Sequence, residues 1–401
     1  MNIFSSEIMQ QIFLSHYLIF TFILFISAYV TTYIIIPKVI GVTNAKQLAT
    51  PVNSRSAHKF PTPSFGGVAF FVTMILMVSL IQSMLLHFVG NNLIAGLTIL
   101  FMVGLKDDLV ISSAKVKLIG QLMATSFIIF LPQLQITSLH GFLNIYEIPA
   151  YLSLPLALII MLGIINAYNL IDGIDGLAGI VGIIICSIYG VIFFFTSRDF
   201  SFLICVSIIA ILAAFLRYNL SSGTNKIFMG DSGSLIIGFL IGFLTLRFLT
   251  IDSFTILDYQ FKAENRLIFV ISILFIPIFD TTRIVFTRLA KKQNPFAADR
   301  NHAHHILIDL GLSHVKASIL LGFLNIFIAL VFLLLGRYYS SIVMTVVMGL
   351  LFLLFTYLFF ALKTRKIKID FEFGNSDFKY KSPQIEEDKP VFCPPLEKEK
   401  V

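Results

Sequence analysis

Charged residues make up only 13% of the 401-residue chain, whereas 57% are hydrophobic. So little charge excludes an ordinary soluble domain, in which about a quarter of residues are charged. Cysteine is scarce as well. Cys186, Cys205 and Cys393 share no metal-ligand or disulfide spacing, which leaves them as small hydrophobes. There is no GxxxxGK[ST] phosphate loop, and an ATP-driven motor is excluded with it. The first apolar run lacks a basic flank and a small-residue cleavage site, so it reads as a retained span rather than a signal peptide.

What the chain has instead is apolar runs. About eleven are long enough to cross a bilayer: near 15–37, 66–87, 92–105, 118–133, 149–166, 177–196, 201–216, 234–250, 266–283, 316–336 and 341–362. The expected fold is all-α and polytopic. A membrane domain over 1–362 precedes a mixed-charge, Pro-rich tail over 363–401 that reads as a solvated, partly disordered extension. Within the tail, the alternation in "KIKIDFEF" would suit a small strand, although a lone hairpin is marginal.

The net charge is +7, yet its distribution argues against a nucleic-acid partner. Basic residues fall in alternate loops: Lys38, Lys46, Arg55 and Lys59; then Lys106, Lys115 and Lys117; then Arg217 and Lys226; then Arg288, Lys291, Lys292 and Arg300. The opposite loops hold little beyond Arg198, Lys262 and Arg337. The positive-inside rule therefore puts the first set and the carboxyl terminus in the cytoplasm, with the amino terminus outside.

Polar groups follow the same partition. "SAHKFPTPSFGG", "GLKDDL", "NAYNLIDGIDGL", "RYNLSSGTNKIFMGDSGS" and "NPFAADRNHAHHI" all lie on the cytoplasmic side. Asp107 and Asp108 are adjacent acids at a span terminus, suited to Mg²⁺ or to accepting a proton from a phosphate. Asp172 and Asp175 share one helical face, and Asn166 and Asn169 continue the spacing upstream. Such groups at membrane depth are costly and default to function. Asp231 sits between glycines at a helix start that favours anions. His302, His304 and His305 beside Arg300 suit phosphate oxygens and proton handling. Together the acids and the basic cluster suggest a divalent cation clamping a polyphosphate.

"GLKDDL", "NAYNLIDGIDGLAG", "FMGDSGSL" and "ADRNHAHH", in this order, resemble the polyprenyl-phosphate N-acetylhexosamine-1-phosphate transferases over roughly residues 15–336. The resemblance implies Mg²⁺-dependent (with Mn²⁺ as a substitute) transfer of a sugar 1-phosphate from a UDP-N-acetylhexosamine to undecaprenyl phosphate. UMP would be released at the cytoplasmic face of a bacterial inner membrane. It also implies roles: Asp107 as base for the lipid phosphate, and Asp231 with Asp108 at the metal. Asn169, Asp172 and Asp175 would form the nucleotide and catalytic cluster, and Phe228 would stack on uracil. Lys117 would lie near the phosphates, Asn219 on the nucleotide side, and His302, His304 and His305 at the pyrophosphate or sugar. Arg55, His58 and Lys59 occupy the position of the family's basic first-loop segment. The H-A-H-H pattern resembles the branch that uses simple UDP-HexNAc donors, in which a bulkier aliphatic residue usually stands at Ala303. A homodimer would be in keeping with the family.

Two rival readings are weaker. A transporter or flippase of a phosphorylated lipid or sugar needs polar groups near the bilayer midplane, and the spans offer few. A CDP-alcohol transferase needs an arginine after its acids, which "DGIDGLAGI" lacks.

Overall fold

The computed structural model describes residues 15–48, 62–85, 88–110, 112–251, 255–256, 259–293 and 301–374. Within them are thirteen α-helices and two short antiparallel hairpins. Helices dominate because hydrocarbon offers no partner for backbone N–H and C=O groups, which a helix satisfies within one segment. In chain order the first eight are α1 (Tyr17–Ala45), α2 (Gly66–Leu85), α3 (Val89–Leu109), α4 (Ala114–Ile129), α5 (Ala150–Ile171), α6 (Leu177–Phe195), α7 (Asp199–Asn219) and α8 (Gly230–Leu249). They are followed by α9 (Arg266–Ile273), α10 (Phe275–Ala290), α11 (Ala303–Asp309), α12 (His314–Leu335) and α13 (Ser341–Gly374). One hairpin, β1 (Ser138–Phe142) with β2 (Ile145–Glu147), joins α4 to α5.

Among the described residues, nine helices are long and apolar enough to span a bilayer, and the protein is a multi-pass membrane protein. The other two expected spans take different forms. The segment near 266–283 is broken, with Ala263–Ile273 and Phe275–Ala290 meeting at 74°. The segment near 118–133 is α4, whose 16 residues reach about 24 Å, short of a hydrocarbon core of about 30 Å. The alternating "KIKIDFEF" forms no strand. It continues α13 to Gly374, which keeps its backbone bonds inside the helix where a lone strand would have no partner.

Helix α8 is the hub: 94% of its apolar window is buried, against 17% for the last span. Helices α2, α3, α5 and α6 pack around it. Two breaks in regular helix are repaired by side chains from neighbours. In α1, Pro37 has no N–H for the Tyr33 carbonyl one turn back, and Tyr218 of α7 donates its hydroxyl to that carbonyl (3.0 Å). At the α9–α10 bend, fully buried Asn325 accepts from Ile276 N (3.0 Å) and donates to the Ile273 carbonyl (2.8 Å).

Asn325→Ala leaves one donor and one acceptor unpaired inside the bundle, at about 1–3 kcal/mol each. A thermal midpoint several degrees below wild type is expected in detergent; an unchanged midpoint would mean that the bend holds without this amide.

Candidate functional site

The site is built where α3 ends and α8 begins. The first turn of a helix leaves amide N–H groups unpaired and carries partial positive charge. Asp108 fills that need: its Oδ1 accepts from Asp231 N (2.7 Å), and its Oδ2 from Ser232 N (3.1 Å) and Ser232 Oγ (2.5 Å). Gly230 at the junction has φ +74°, and a Cβ there would overlap the Ser64 carbonyl and crowd the Asp108 oxygens. Only glycine fits both demands. Asp108, expected among the metal ligands and catalytic acids, thus has both oxygens committed to α8.

Asp107 points elsewhere. Its Oδ1 accepts from Ser112 N (2.7 Å) and its Oδ2 pairs with Lys117 of α4 (2.7 Å). Lys117 also reaches Asp231 Oδ2 (3.1 Å). Asn169, near the end of α5, donates to Asp231 Oδ1 (2.6 Å) and Ser234 Oγ (2.7 Å). One lysine therefore bridges acids from two helices, and an amide fixes the second acid from a third.

A cavity of about 410 Å³ opens beside this cluster, bordered by Asp108, Asn169, Asp172, Asp175, Phe228 and Asp231, among others. Asp107 and Lys117 do not border it, so Asp231 stands between them and the cavity. Asp175 is tied down by Lys226 Nζ (2.6 Å) and His314 Nδ1 (3.0 Å). Lys226 also lies 5.6 Å above the Phe228 ring. Asn219 borders the cavity, but its polar atoms are turned to the fold. Its Oδ1 accepts from Gly176 N (2.7 Å) and its Nδ2 donates to the Ile227 carbonyl (2.9 Å).

Asp172 differs from its neighbours in making no side-chain hydrogen bond to any described residue. Its removal from solvent, together with the charges of Asp231, Asp108 and Asp175, pushes its carboxyl up to about 8.

The histidine segment is held from below by Asp280 of α10, a buried acid. Asp280 Oδ2 meets His302 Nδ1 (2.7 Å), while Oδ1 accepts from Ala303 N (2.8 Å) and Arg283 Nη2 (2.9 Å). Arg283 also donates to the Asn301 carbonyl. Of the three histidines only His305 borders the cavity. His304 is 2% exposed, with Nε2 packed against Gly173 and unpaired. Burial lowers its pKa to about 3, so it stays neutral. A methyl group on Gly173 would overlap the His304 ring, and that glycine is what lets the histidine segment close on the acidic turn.

Asn166 is not in the cavity. It is exposed and forms a reciprocal amide pair with Gln121 of α4 (2.9 and 3.1 Å), which joins α4 to α5. Arg300, His58 and Lys59 lie outside the described residues.

Comparison with known proteins agrees with these motifs. The family model described as "Glycosyl transferase family 4" matches residues 91–249. A Bacillus subtilis protein named "Probable undecaprenyl-phosphate N-acetylglucosaminyl 1-phosphate transferase" is 30% identical over 305 residues, 76% of this chain and 81% of its own length. The chain belongs to the polyprenyl-phosphate N-acetylhexosamine-1-phosphate transferase family. "Undecaprenyl-phosphate alpha-N-acetylglucosaminyl 1-phosphate transferase" proteins of Salmonella typhi and Escherichia coli K12 are 27% and 26% identical. They align over 67% and 77% of this chain and 71% and 81% of their own lengths.

Four side chains of this transferase's site escaped the motif reading: Lys226, Asp280, Arg283 and His314. Asp280 carried a signal, being an acid inside an apolar run, which defaults to function. His314 carried only its place beside a helix start, and its contact with Asp175 spans 139 residues of sequence.

Among the described residues, no three His, Cys or acidic side chains converge tightly enough to cage a metal ion. Mg²⁺ does not require such a cage, because it is usually held by one or two carboxylates with water and substrate phosphates completing its shell. Asp231 and Asp172, two hard oxygen donors bordering one cavity, fit that requirement.

The Asp172 pKa is raised on folding from an ordinary value near 4. Its contribution to stability is therefore fully present below about pH 4 and lost as pH rises through about 8. With divalent ions chelated, the thermal midpoint should fall over that window and Asp172→Asn should flatten the fall. Identical slopes in the two proteins would remove Asp172 as its source.

Proposed function

We propose that this protein transfers N-acetylglucosamine 1-phosphate from its UDP derivative to undecaprenyl phosphate, releasing UMP and starting a cell-envelope glycan. The reaction would run at the cytoplasmic face of a bacterial inner membrane. The observation that carries this reading is that Asn169, Asp172 and Asp231 border one cavity, with Asp107 and Lys117 tied to Asp231 from behind it. The basic-loop asymmetry supports a cytoplasmic placement, and the relatives' names support donor sugar and acceptor.

The cavity suits the UDP-sugar: Phe228 offers a face for uracil, and His305 and His314 also border it. Asp231 and Asp172 would hold Mg²⁺, which when bound neutralises pyrophosphate charge. Lys117 is 26% exposed beyond Asp231, positioned to meet a lipid phosphate arriving from the α4 flank. Beside it, Asp107 would accept the proton of that phosphate. An acceptor oxygen would bond to the β-phosphorus as the bond from that phosphorus to the bridging oxygen breaks, and UMP would leave with that oxygen. Asp108 contributes by positioning, since it fixes the start of α8 and with it Asp231. Asp175 does likewise for His314 and Lys226.

Purified protein with UDP-GlcNAc, undecaprenyl phosphate and Mg²⁺ should release UMP, and chelation should stop it. Asp231→Asn should lower turnover by about two orders of magnitude or more while the protein still folds. Mg²⁺-independent release, or near-normal turnover of Asp231→Asn, would contradict the assignment.

A further inference from the structure

Arg217 stands in the last turn of α7, on the same end of the bundle as the site but outside its cavity. It is exposed, and no acidic side chain among the described residues pairs with it. Two cavities open on either side of it. One, of about 310 Å³, lies against Tyr33, Pro37, Tyr218, Ser221 and Asn225. The other, of about 360 Å³, lies along Tyr29, Ala213, Leu216 and Leu220. Neither shares a lining residue with the catalytic cavity.

The groove follows from a single proline. Pro37 leaves the Tyr33 carbonyl without its helical partner, and the Tyr218 hydroxyl takes its place (3.0 Å). That bond sets the Tyr33 and Tyr218 rings side by side, with centroids 5.4 Å apart. The row continues to Tyr29 at 6.1 Å and to Phe25 at 6.5 Å. The result is a cleft between α1 and α7 that is cationic and hydroxyl-bearing at its mouth and apolar along its depth. The neighbouring outward residues of α1, Val30 and Ile34, are exposed and apolar, so the cleft faces hydrocarbon.

We infer that this cleft binds an anionic phospholipid of the surrounding bilayer, its phosphate at Arg217 and one acyl chain along Tyr29, Ala213 and Leu216. Basic pockets between membrane helices recognise phosphate head groups in this way, and tyrosines belong at that depth. Inorganic phosphate would make no use of the apolar half. The prenyl-phosphate acceptor must deliver its phosphate beside Lys117 and Asp231, neither of which borders this cleft.

Native mass spectrometry of the purified protein, titrated with equal phosphatidylglycerol and phosphatidylcholine, tests the assignment. Wild type should retain the anionic lipid preferentially. Arg217→Gln should weaken that preference about fivefold, the worth of one cation near an anionic membrane surface. Ala213→Phe, which fills the apolar half and leaves the charge, should weaken it as well. Equal retention of the two lipids by wild type would overturn the site, as would an unchanged preference in both variants. Displacement of phosphatidylglycerol by stoichiometric undecaprenyl phosphate would instead give the cleft to the acceptor.

Discussion

Asp108 gives both carboxylate oxygens to the first turn of α8, and the arrangement of the other acids depends on that seat. A buried helix start with unpaired amides is costly, and a carboxylate from a neighbouring helix satisfies charge and hydrogen bonding together. Because α8 is the hub of the bundle, fixing its first turn fixes Asp231. Because Asp107 is the residue before Asp108, the same helix end aims a second acid at Lys117. The adjacent aspartates thus divide the work, one holding the architecture and the other facing the proposed acceptor.

The surrounding bundle obeys the membrane's rule that every backbone group be paired. Where the chain breaks that rule, a distant side chain repairs it. Asn325 bridges the α9–α10 bend and Tyr218 covers the carbonyl left by Pro37. These repairs let an interrupted span carry Asp280 under the histidine segment and open a cleft on the α1–α7 flank. Irregular backbone, not only polar side chains, gives this protein its distinct surfaces.

Much of this was legible in the sequence, because hydrophobic run length reports directly on spans and loop charge sorts their ends. All eleven expected spans coincide with helix, although α4 is short and the 266–283 segment is bent. Motif residues Asn169, Asp172, Asp175 and Asp231 do border one cavity, and Asp107 is joined to Asp231 behind it through Lys117. What a linear reading could not separate is which polar atoms are already spent. Asp108, Asn219 and His304 carry motif identities yet direct their polar atoms or rings into the fold, and Asn166 serves helix pairing. Conversely, His314 and Lys226 join the site through contacts with Asp175 across 139 and 51 residues, separations that no local pattern records.

The central claim is that a phosphoryl-sugar unit, rather than a sugar alone, crosses to a lipid. Donor UDP-GlcNAc labelled with ³²P at the β-phosphorus distinguishes the two outcomes in protein reconstituted with undecaprenyl phosphate and Mg²⁺. The account predicts that the label moves into the solvent-extractable lipid and that the released nucleotide is unlabelled UMP. Label that stays in the aqueous phase as UDP, with only the sugar reaching the lipid, would contradict it.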